Sequence, residues 1–271
     1  MSEDPAATLV FLRAGLAEEC REHAYIVIVR TREELARWLS DPKPGAEGLQ
    51  VEGLIGDPDA WALAAQGSKA IPLDVVLQDP ASEFSALYRL ADVRAVRVTL
   101  PVKPGFMKAL RLAASLQLPV RLLPGQPEPA VLPELREAAR FYLHDPMVEA
   151  PVEFFHSVFA AFRGSPQGTL WEILEQDPAI FSHRDDEGRA LHPPDFVERH
   201  LSALIQDGTA CATCRWQPLC AGYFKYPDPR YDCTGVKQLF AALESAADDI
   251  SRDLASQEEE NPAAWSTLST R

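Results

Sequence analysis

The feature that most limits the fold is an alternation of short apolar runs with amphipathic stretches between residues 24 and 143. The apolar runs are rich in β-branched residues, as buried strands are, and each is followed by a stretch of helical period. Strands that alternate with helices form parallel sheets, and five units are too few for a closed eight-stranded barrel. The sequence therefore predicts an α/β fold with a partial (βα) barrel-like parallel sheet, with strands at residues 24–30, 51–57, 71–78, 95–102 and 118–125.

Helix signals surround these units. Thr31 and Glu34 have the spacing of a capping box, which predicts a helix start directly after the first strand. A further helix is expected over residues 6–22, ahead of that strand. Beyond residue 146 the apolar residues recur with helical period, which predicts helices over residues 152–162, 169–176 and 196–206, a loop over 181–195 and a long last helix after Cys233.

These patterns divide the chain into four predicted parts. With 271 residues the chain has room for one large domain, or for one domain and a small module. The last residues are polar and poor in β-branched side chains, which is typical of segments without a packed core. The parts are a βα partial-barrel domain (residues 1–145), a helical connector (146–207), a cysteine-rich module with a docking terminal helix (208–256) and a frayed acidic tail (257–271).

Charge and composition restrict the partners and the compartment. The net charge is −14, whereas DNA and RNA require a basic face, so nucleic acid is not expected as a partner. The sequence shows no signal-peptide pattern and no apolar run long enough to cross a membrane. We therefore expect a cytoplasmic protein, in which clustered thiols serve as metal ligands or redox groups rather than as disulfides.

Four of the five cysteines are clustered with the spacing C-x2-C-x5-C-x12-C, at Cys211, Cys214, Cys220 and Cys233. The first two can present their thiolates from a single tight turn, and the other two can close a shell of four sulfur ligands. This pattern predicts a metal or iron–sulfur site. The fifth cysteine, Cys20, is isolated and is expected to be a half-buried apolar residue, with an additional ligand or a reactive thiol as the alternatives.

Ligand count alone does not separate a 4Fe–4S cluster from zinc, because both accept four thiolates. Structural zinc sites usually combine two CxxC-like pairs, whereas only the first pair has that spacing here. The five-residue gap before Cys220 lets the chain wrap around something larger than one ion. Nearby aromatic residues such as Trp216, Tyr223 and Phe224 can shield a cluster from solvent, or can simply form the core of a small module.

Three aspartates lie at the carboxyl ends of predicted strands, where parallel sheets bind ligands. Asp57 and Asp59 follow the second strand and Asp79 follows the third, so the three can line a polar site at that edge. Asp-Pro pairs also end strands and cap the next helix, which is the alternative role for these residues. None of the loops at this edge carries a glycine-rich phosphate-binding pattern.

The histidines are scattered and form no metal-binding motif. His183 and His192 flank an acidic loop, which is expected to be solvated rather than metal-bound and which contains Asp185, Asp186 and Glu187. His200 lies on the predicted helix that leads into the cysteines, where a hydrogen-bonded structural histidine is expected rather than a group at the metal site. The sequence also lacks the GxSxG pattern of a serine hydrolase.

The run CATCRWQPLCAGYFKYPDPRYDC resembles the core of the SPASM module, the auxiliary-cluster domain at the C-terminus of radical SAM enzymes that mature ribosomal peptides. The resemblance rests on the CxxCx5C spacing with a later cysteine, on the aromatic residue after CxxCR and on the CxGYF turn. It covers the cysteine-rich module closely and the preceding βα units in outline. The resemblance implies that Cys211, Cys214, Cys220 and Cys233 bind an auxiliary 4Fe–4S cluster.

The chain departs from that family at its first strand. A radical SAM enzyme carries CxxxCxxC after this strand, and the motif leaves one iron open to bind S-adenosylmethionine. Here the strand at residues 24–30 runs into its helix without a cysteine, and Cys20 stands alone ahead of it. The resemblance therefore implies at most one cluster and no cleavage of S-adenosylmethionine by this chain.

The leading hypothesis is an iron–sulfur-binding accessory protein in peptide or protein modification, with a peptide or protein partner such as a modification enzyme. The first alternative is an enzyme that uses the open end of the βα sheet for a reaction that the residues do not specify. The second alternative is an interaction protein with a structural four-cysteine zinc site. Metal content separates the hypothesis from the second alternative, and turnover without a partner separates it from the first.

Overall fold

The computed structural model describes residues 8–20, 24–66 and 71–260, with side chains up to residue 256. Eight parallel strands form one sheet that curves into a half-barrel. They are β1 Leu9–Arg13, β2 Tyr25–Val29, β3 Ala46–Glu52, β4 Leu73–Val76, β5 Val96–Pro101, β6 Val120–Leu123, β7 Val152–Glu153 and β8 Phe181–His183. The strands follow chain order across the sheet, except that β8 pairs with β1, so β7 and β8 form the two edges.

Helices connect the strands, and the last helix ends the described part of the chain. They are α1 Ala14–Ala17, α2 Arg32–Ser40, α3 Pro58–Gln66, α4 Pro80–Glu83, α5 Phe106–Ser115, α6 Leu132–His144, α7 Phe155–Phe162, α8 Leu170–Ile173, α9 Phe196–Gln206, α10 Gln217–Cys220 and α11 Thr234–Glu260. Three 3₁₀ turns are also present, at Phe84–Leu90, Ala210–Thr213 and Tyr223–Lys225. In the described part of the chain, no helix is both long and apolar enough to cross a membrane.

The alternating pattern predicted the sheet correctly. Strands β2, β4, β5 and β6 lie within the predicted runs, and neighbouring units in sequence are neighbours in the sheet. Thr31 accepts a hydrogen bond from the backbone of Glu34 while the Glu34 carboxylate reaches back to Thr31, so the capping box is confirmed. The helix predicted at residues 196–206 is α9, and the predicted last helix is α11.

The helix predicted over residues 6–22 is wrong. Residues 6, 7, 21 and 22 lie outside the described residues, and between them the chain forms strand β1 followed by the single turn α1. The run LVFLR pairs with β2 on one side and β8 on the other, so both of its edges form backbone hydrogen bonds within the sheet. Pairing and burial in the sheet outweigh the weak helical period of this segment.

Four other predicted boundaries also differ. The strand predicted at residues 51–57 lies earlier, at β3, because Leu49 and Val51 are the residues that point into the core and Gly53 turns the chain with a φ of 71°. The helix predicted at 152–162 begins with the short strand β7, and the loop predicted at 181–195 begins with β8. The tail predicted at 257–271 begins too early, because α11 extends to Glu260. Residues 261–271 lie outside the described residues.

The two faces of the sheet differ in chemistry. On the convex face, buried residues such as Val27, Val51 and Val98 pack against the helices in one hydrophobic core that extends into α11. On the concave face the register aligns Asp74 with Arg97 and Thr99 with Arg121, and residues paired across parallel strands point to the same side. The hollow of the half-barrel therefore carries charged side chains at β4, β5 and β6.

Candidate metal centre

The first two cysteines lie in a tight turn directly after α9. Gly208 ends the helix with a φ of 63°, and the Thr209 hydroxyl accepts a hydrogen bond from the Cys211 N–H (3.3 Å). Within the 3₁₀ turn that follows, the Cys214 N–H donates to the carbonyl of Cys211 (3.2 Å). The CxxC spacing therefore forms the single turn that the sequence predicts.

All four clustered cysteines line one recess. Cys220 ends α10, and Cys233 immediately precedes α11. Together with Cys211 and Cys214 they surround a recess with a volume of ≈ 430 Å³ including its open mouth. The recess wall is otherwise mainly apolar and includes Trp216, Phe224, Val236 and Phe240. All five cysteines of the chain carry free thiols.

The thiols of the recess influence one another. Burial, together with the nearby Cys233 and Cys211, raises the pKa of Cys220 to about 12. Burial also raises the pKa of Cys233, although the positive charges of Lys225 and Lys237 act in the opposite direction. Without a metal these two thiols therefore remain protonated at neutral pH. A coordinating metal removes the proton, because its charge stabilises the thiolate.

Two lysines, Lys225 and Lys237, line the recess. Lys225 is buried, and its ammonium group donates a hydrogen bond to the carbonyl of Tyr231, while Lys237 lies at the recess on α11. Arg215 instead lies over the Trp216 ring, 4.2 Å from its centroid, and pairs with a glutamate of α11. The recess therefore combines four sulfur atoms with two positive charges.

Among the residues that the structure describes, no group of three or more His, Cys, Asp or Glu side chains forms a site for a single metal ion. The four thiols nevertheless border the same recess.

The turn after Cys220 is held by two side chains from outside the cysteine segment. Ala221 and Gly222 have left-handed backbones, with φ angles of 46° and 75°. The indole N–H of Trp171 donates to the Ala221 carbonyl (3.0 Å), and the Nε2 of His200 is hydrogen-bonded to the Gly222 carbonyl (3.2 Å). A Cβ atom on Gly222 would lie 2.7 Å from the Leu204 side chain, so glycine is required at this close approach.

The cysteine segment docks on the loop that follows β6, at the carboxyl edge of the sheet. The Gln126 amide donates to the carbonyls of Phe224 (3.1 Å) and Asp228 (2.8 Å), and its oxygen accepts from the Asp228 N–H. The Tyr231 hydroxyl donates to the carbonyl of Pro127 (2.7 Å). The recess is thus anchored to the end of a barrel strand.

Of the aspartates predicted at the carboxyl edge, Asp57 and Asp79 cap helices in the structure, and Asp59 forms an ion pair. Asp57 accepts from the Asp59 N–H (3.1 Å) at the start of α3 and forms a two-point ion pair with Arg32 (both contacts 2.8 Å). Asp59 pairs with the same arginine (2.9 Å), and Asp79 accepts from the N–H of Ala81 (3.2 Å) in α4. The capping alternative therefore describes these residues, and they do not form a common site.

The other predicted candidates are also held by structural contacts. His183 stacks on Phe11, with ring centroids 4.2 Å apart, and His192 stacks on Phe196 at the same distance. In the acidic loop, Asp185 accepts hydrogen bonds from the backbone N–H groups of Glu187 and Arg189, which closes a tight turn, and Asp186 pairs with Arg13. Cys20 is half-buried and lies beside Val10 and Leu12, in a recess that the clustered cysteines do not share.

The sequence reasoning missed a buried ionic network in the hollow of the half-barrel. Arg97 bonds to Asp74 (2.8 Å) and to both carboxylate oxygens of Glu175 (2.8 and 3.1 Å). Arg121 bonds to the same two carboxylates and to the Thr99 hydroxyl (3.1 Å). Glu175 reaches the hollow from a left-handed backbone, with a φ of 58°.

The charges of the network stabilise one another. Burial alone would raise the pKa of Asp74, but the positive charges of Arg121 and Arg97 outweigh it and hold the pKa below its ordinary value. The same opposition lowers the pKa of Glu175. Both carboxylates are therefore ionised at neutral pH. The network was detectable in the sequence. The strand sequences LDVV, VRVT and VRLL each carry a charged residue at the second position, whereas buried parallel strands are normally apolar at every position.

Comparisons with known proteins add no relative to this description. No protein-family model matches the chain, no curated protein matches it, and no solved structure matches it.

Proposed function

We propose that the protein binds one 4Fe–4S cluster through Cys211, Cys214, Cys220 and Cys233. The observation that carries the proposal is that four free thiols border one mainly apolar recess. Four cysteine thiolates are the usual ligand set of such a cluster. The spacing of the cysteines, in which only the first pair is CxxC, favours a cluster over the structural zinc site that is the alternative.

The surroundings of the recess support the same proposal. Apolar and aromatic walls limit access of water and oxygen to a cluster, and both affect its stability and potential. Four thiolates carry a charge that a buried recess does not tolerate without compensation. Lys225 and Lys237 supply two positive charges at the recess, in addition to the charge of the metal itself.

We further propose that the protein is an accessory in peptide or protein modification, consistent with the resemblance of its cysteine segment to the SPASM module. Outside the cluster of four, the chain has one cysteine, Cys20, so it cannot form a second site of three cysteines for S-adenosylmethionine. Of the aspartates considered for an independent enzyme, Asp57 and Asp79 cap helices and Asp59 pairs with Arg32. The cluster would then be structural or would pass electrons to a partner enzyme.

Two experiments on the full-length chain test the proposal. Anaerobic reconstitution of Cys220→Ser with iron and sulfide should yield less than half of the cluster that the unchanged protein binds, whereas Cys20→Ser should bind the full amount. Equal iron and sulfide in both variants would refute the assignment of the ligands. In the second experiment the reconstituted protein is incubated with dithionite and S-adenosylmethionine. Release of 5′-deoxyadenosine above the level without protein would refute the accessory role.

A further inference from the structure

A cavity separate from the cysteine recess opens at the amino edge of the sheet. It is lined by residues at the starts of strands, including Leu9 of β1, Leu73 of β4 and Phe181 of β8. Its volume is ≈ 430 Å³, which lies in the range of small-molecule sites. The cysteine segment docks at the carboxyl edge, so the two sites lie at opposite ends of the strands.

The walls of this cavity are mostly apolar, and its charged groups converge at one end. Phe11, Ile26 and Phe181 contribute to the apolar wall. Of the buried network, Asp74, Arg97 and Glu175 line the cavity. Apolar walls with a few convergent polar groups are the usual composition of a small-molecule site.

Arg97 is the member of the network that is open to a ligand. Its side chain is 32% exposed, whereas that of Arg121 is 6% exposed. The Nη1 and Nη2 groups of Arg97 bond to Asp74 and Glu175, but its Nε donates to no acceptor among the described residues. The carboxylates, in contrast, already accept from both arginines and Thr99. Within the network, the cavity therefore offers an N–H donor to an anion and no free carboxylate to a cation.

We propose that this cavity binds a small monocarboxylic acid with an apolar body. Its carboxylate would accept hydrogen bonds from Arg97, and its body would lie against the apolar wall formed by Phe11, Ile26 and Phe181. Glu47 lies at the cavity and is exposed, so a second negative charge on the ligand is disfavoured. This inference does not depend on the cluster, because no cysteine lines this cavity.

The test uses 3-phenylpropionate as the probe and its uncharged amide as the matched control, both measured by ligand-observed NMR titration of the full-length protein. The acid should bind with a dissociation constant of about 1 mM or lower, as expected for an apolar probe of this size. The amide should bind at least about tenfold more weakly, because it lacks the charge-assisted hydrogen bonds.

Two variants locate the binding site. Arg97→Gln should weaken the binding of the acid at least about tenfold and leave the binding of the amide unchanged. Leu9→Trp fills the mouth from a half-exposed wall position outside the network, and it should abolish binding while thermal unfolding stays unchanged. Equal affinity for acid and amide, full affinity in Leu9→Trp, or no saturation by the acid would each overturn the proposal. If Arg97→Gln does not fold, the comparison of acid with amide and the binding of the acid to Leu9→Trp test the proposal instead.

Discussion

The substitution Arg121→Met removes one charge from the ionic network while keeping a side chain of similar length. Arg121 is 5% exposed, and its guanidinium contacts Asp74, Glu175 and Thr99. After the substitution, two buried carboxylates share the single guanidinium of Arg97. The charge balance of the network changes from zero to minus one, in a hollow where water cannot compensate fully.

The expected cost follows from this uncompensated charge. Breaking a buried pair by removal of one partner costs about 3–5 kcal/mol of unfolding free energy. Because Arg97 still contacts both carboxylates, we expect the lower end, about 3 kcal/mol. A single domain is stable by only about 5–15 kcal/mol, so a loss of this size is readily measured.

The assay is chemical unfolding in urea at pH 7, with Arg111→Met as the matched control. Arg111 pairs with Glu137 at 2.7 Å, but both side chains are more than half exposed (57% and 55%). Exposed pairs contribute about 0–1 kcal/mol, so this control should unfold almost as the unchanged protein does. If Arg121→Met costs no more than the control, the network does not stabilise the half-barrel in the way described.

Three further predictions concern the cysteine recess and pH. Cys214→Ala should abolish metal binding and lower the melting temperature, because one missing thiolate leaves the ligand shell open. The control Cys20→Ala should keep its metal. Full metal content and unchanged melting of Cys214→Ala would contradict the site. Gly222→Ala should cost about 1–3 kcal/mol in urea unfolding, since its Cβ would lie 2.7 Å from a neighbouring side chain at a φ of 75°; an unchanged midpoint would show that the turn can relax. The lowered pKa values of Asp74 and Glu175 contribute stability that is present above the unfolded-state pKa of about 4 and is lost as the pH falls through the folded-state values. Unfolding free energy should therefore decrease below pH about 4, and Asp74→Asn should flatten that decrease.

The strand–helix alternation was sufficient to predict the sheet, because each unit is local in sequence and pairs with the next unit. The error at β1 has a different origin. The run LVFLR is short and apolar, and periodicity alone cannot tell such a strand from a helix. Its partner β8 is its neighbour in the sheet but lies more than 160 residues further along the sequence, and no local pattern encodes that pairing.

The candidate site was predictable to different degrees. The cysteines were found because thiols are rare and their spacing is local, and the structure places all four at one recess. The turn that supports them depends on Trp171 and His200, which approach from α8 and α9 and which spacing could not assign. The ionic network was missed because β4 and β5 were assigned from their β-branched residues, whereas their single charges were the informative positions.

The measurement that tests the central claim most directly is an anaerobic purification followed by a visible spectrum and analysis of iron, sulfide and zinc. The proposal that the four clustered cysteines bind a 4Fe–4S cluster predicts a brown protein with broad absorption near about 400 nm and about four irons and four sulfides per chain. A colourless protein with one zinc per chain would contradict it and would assign the recess to structural zinc.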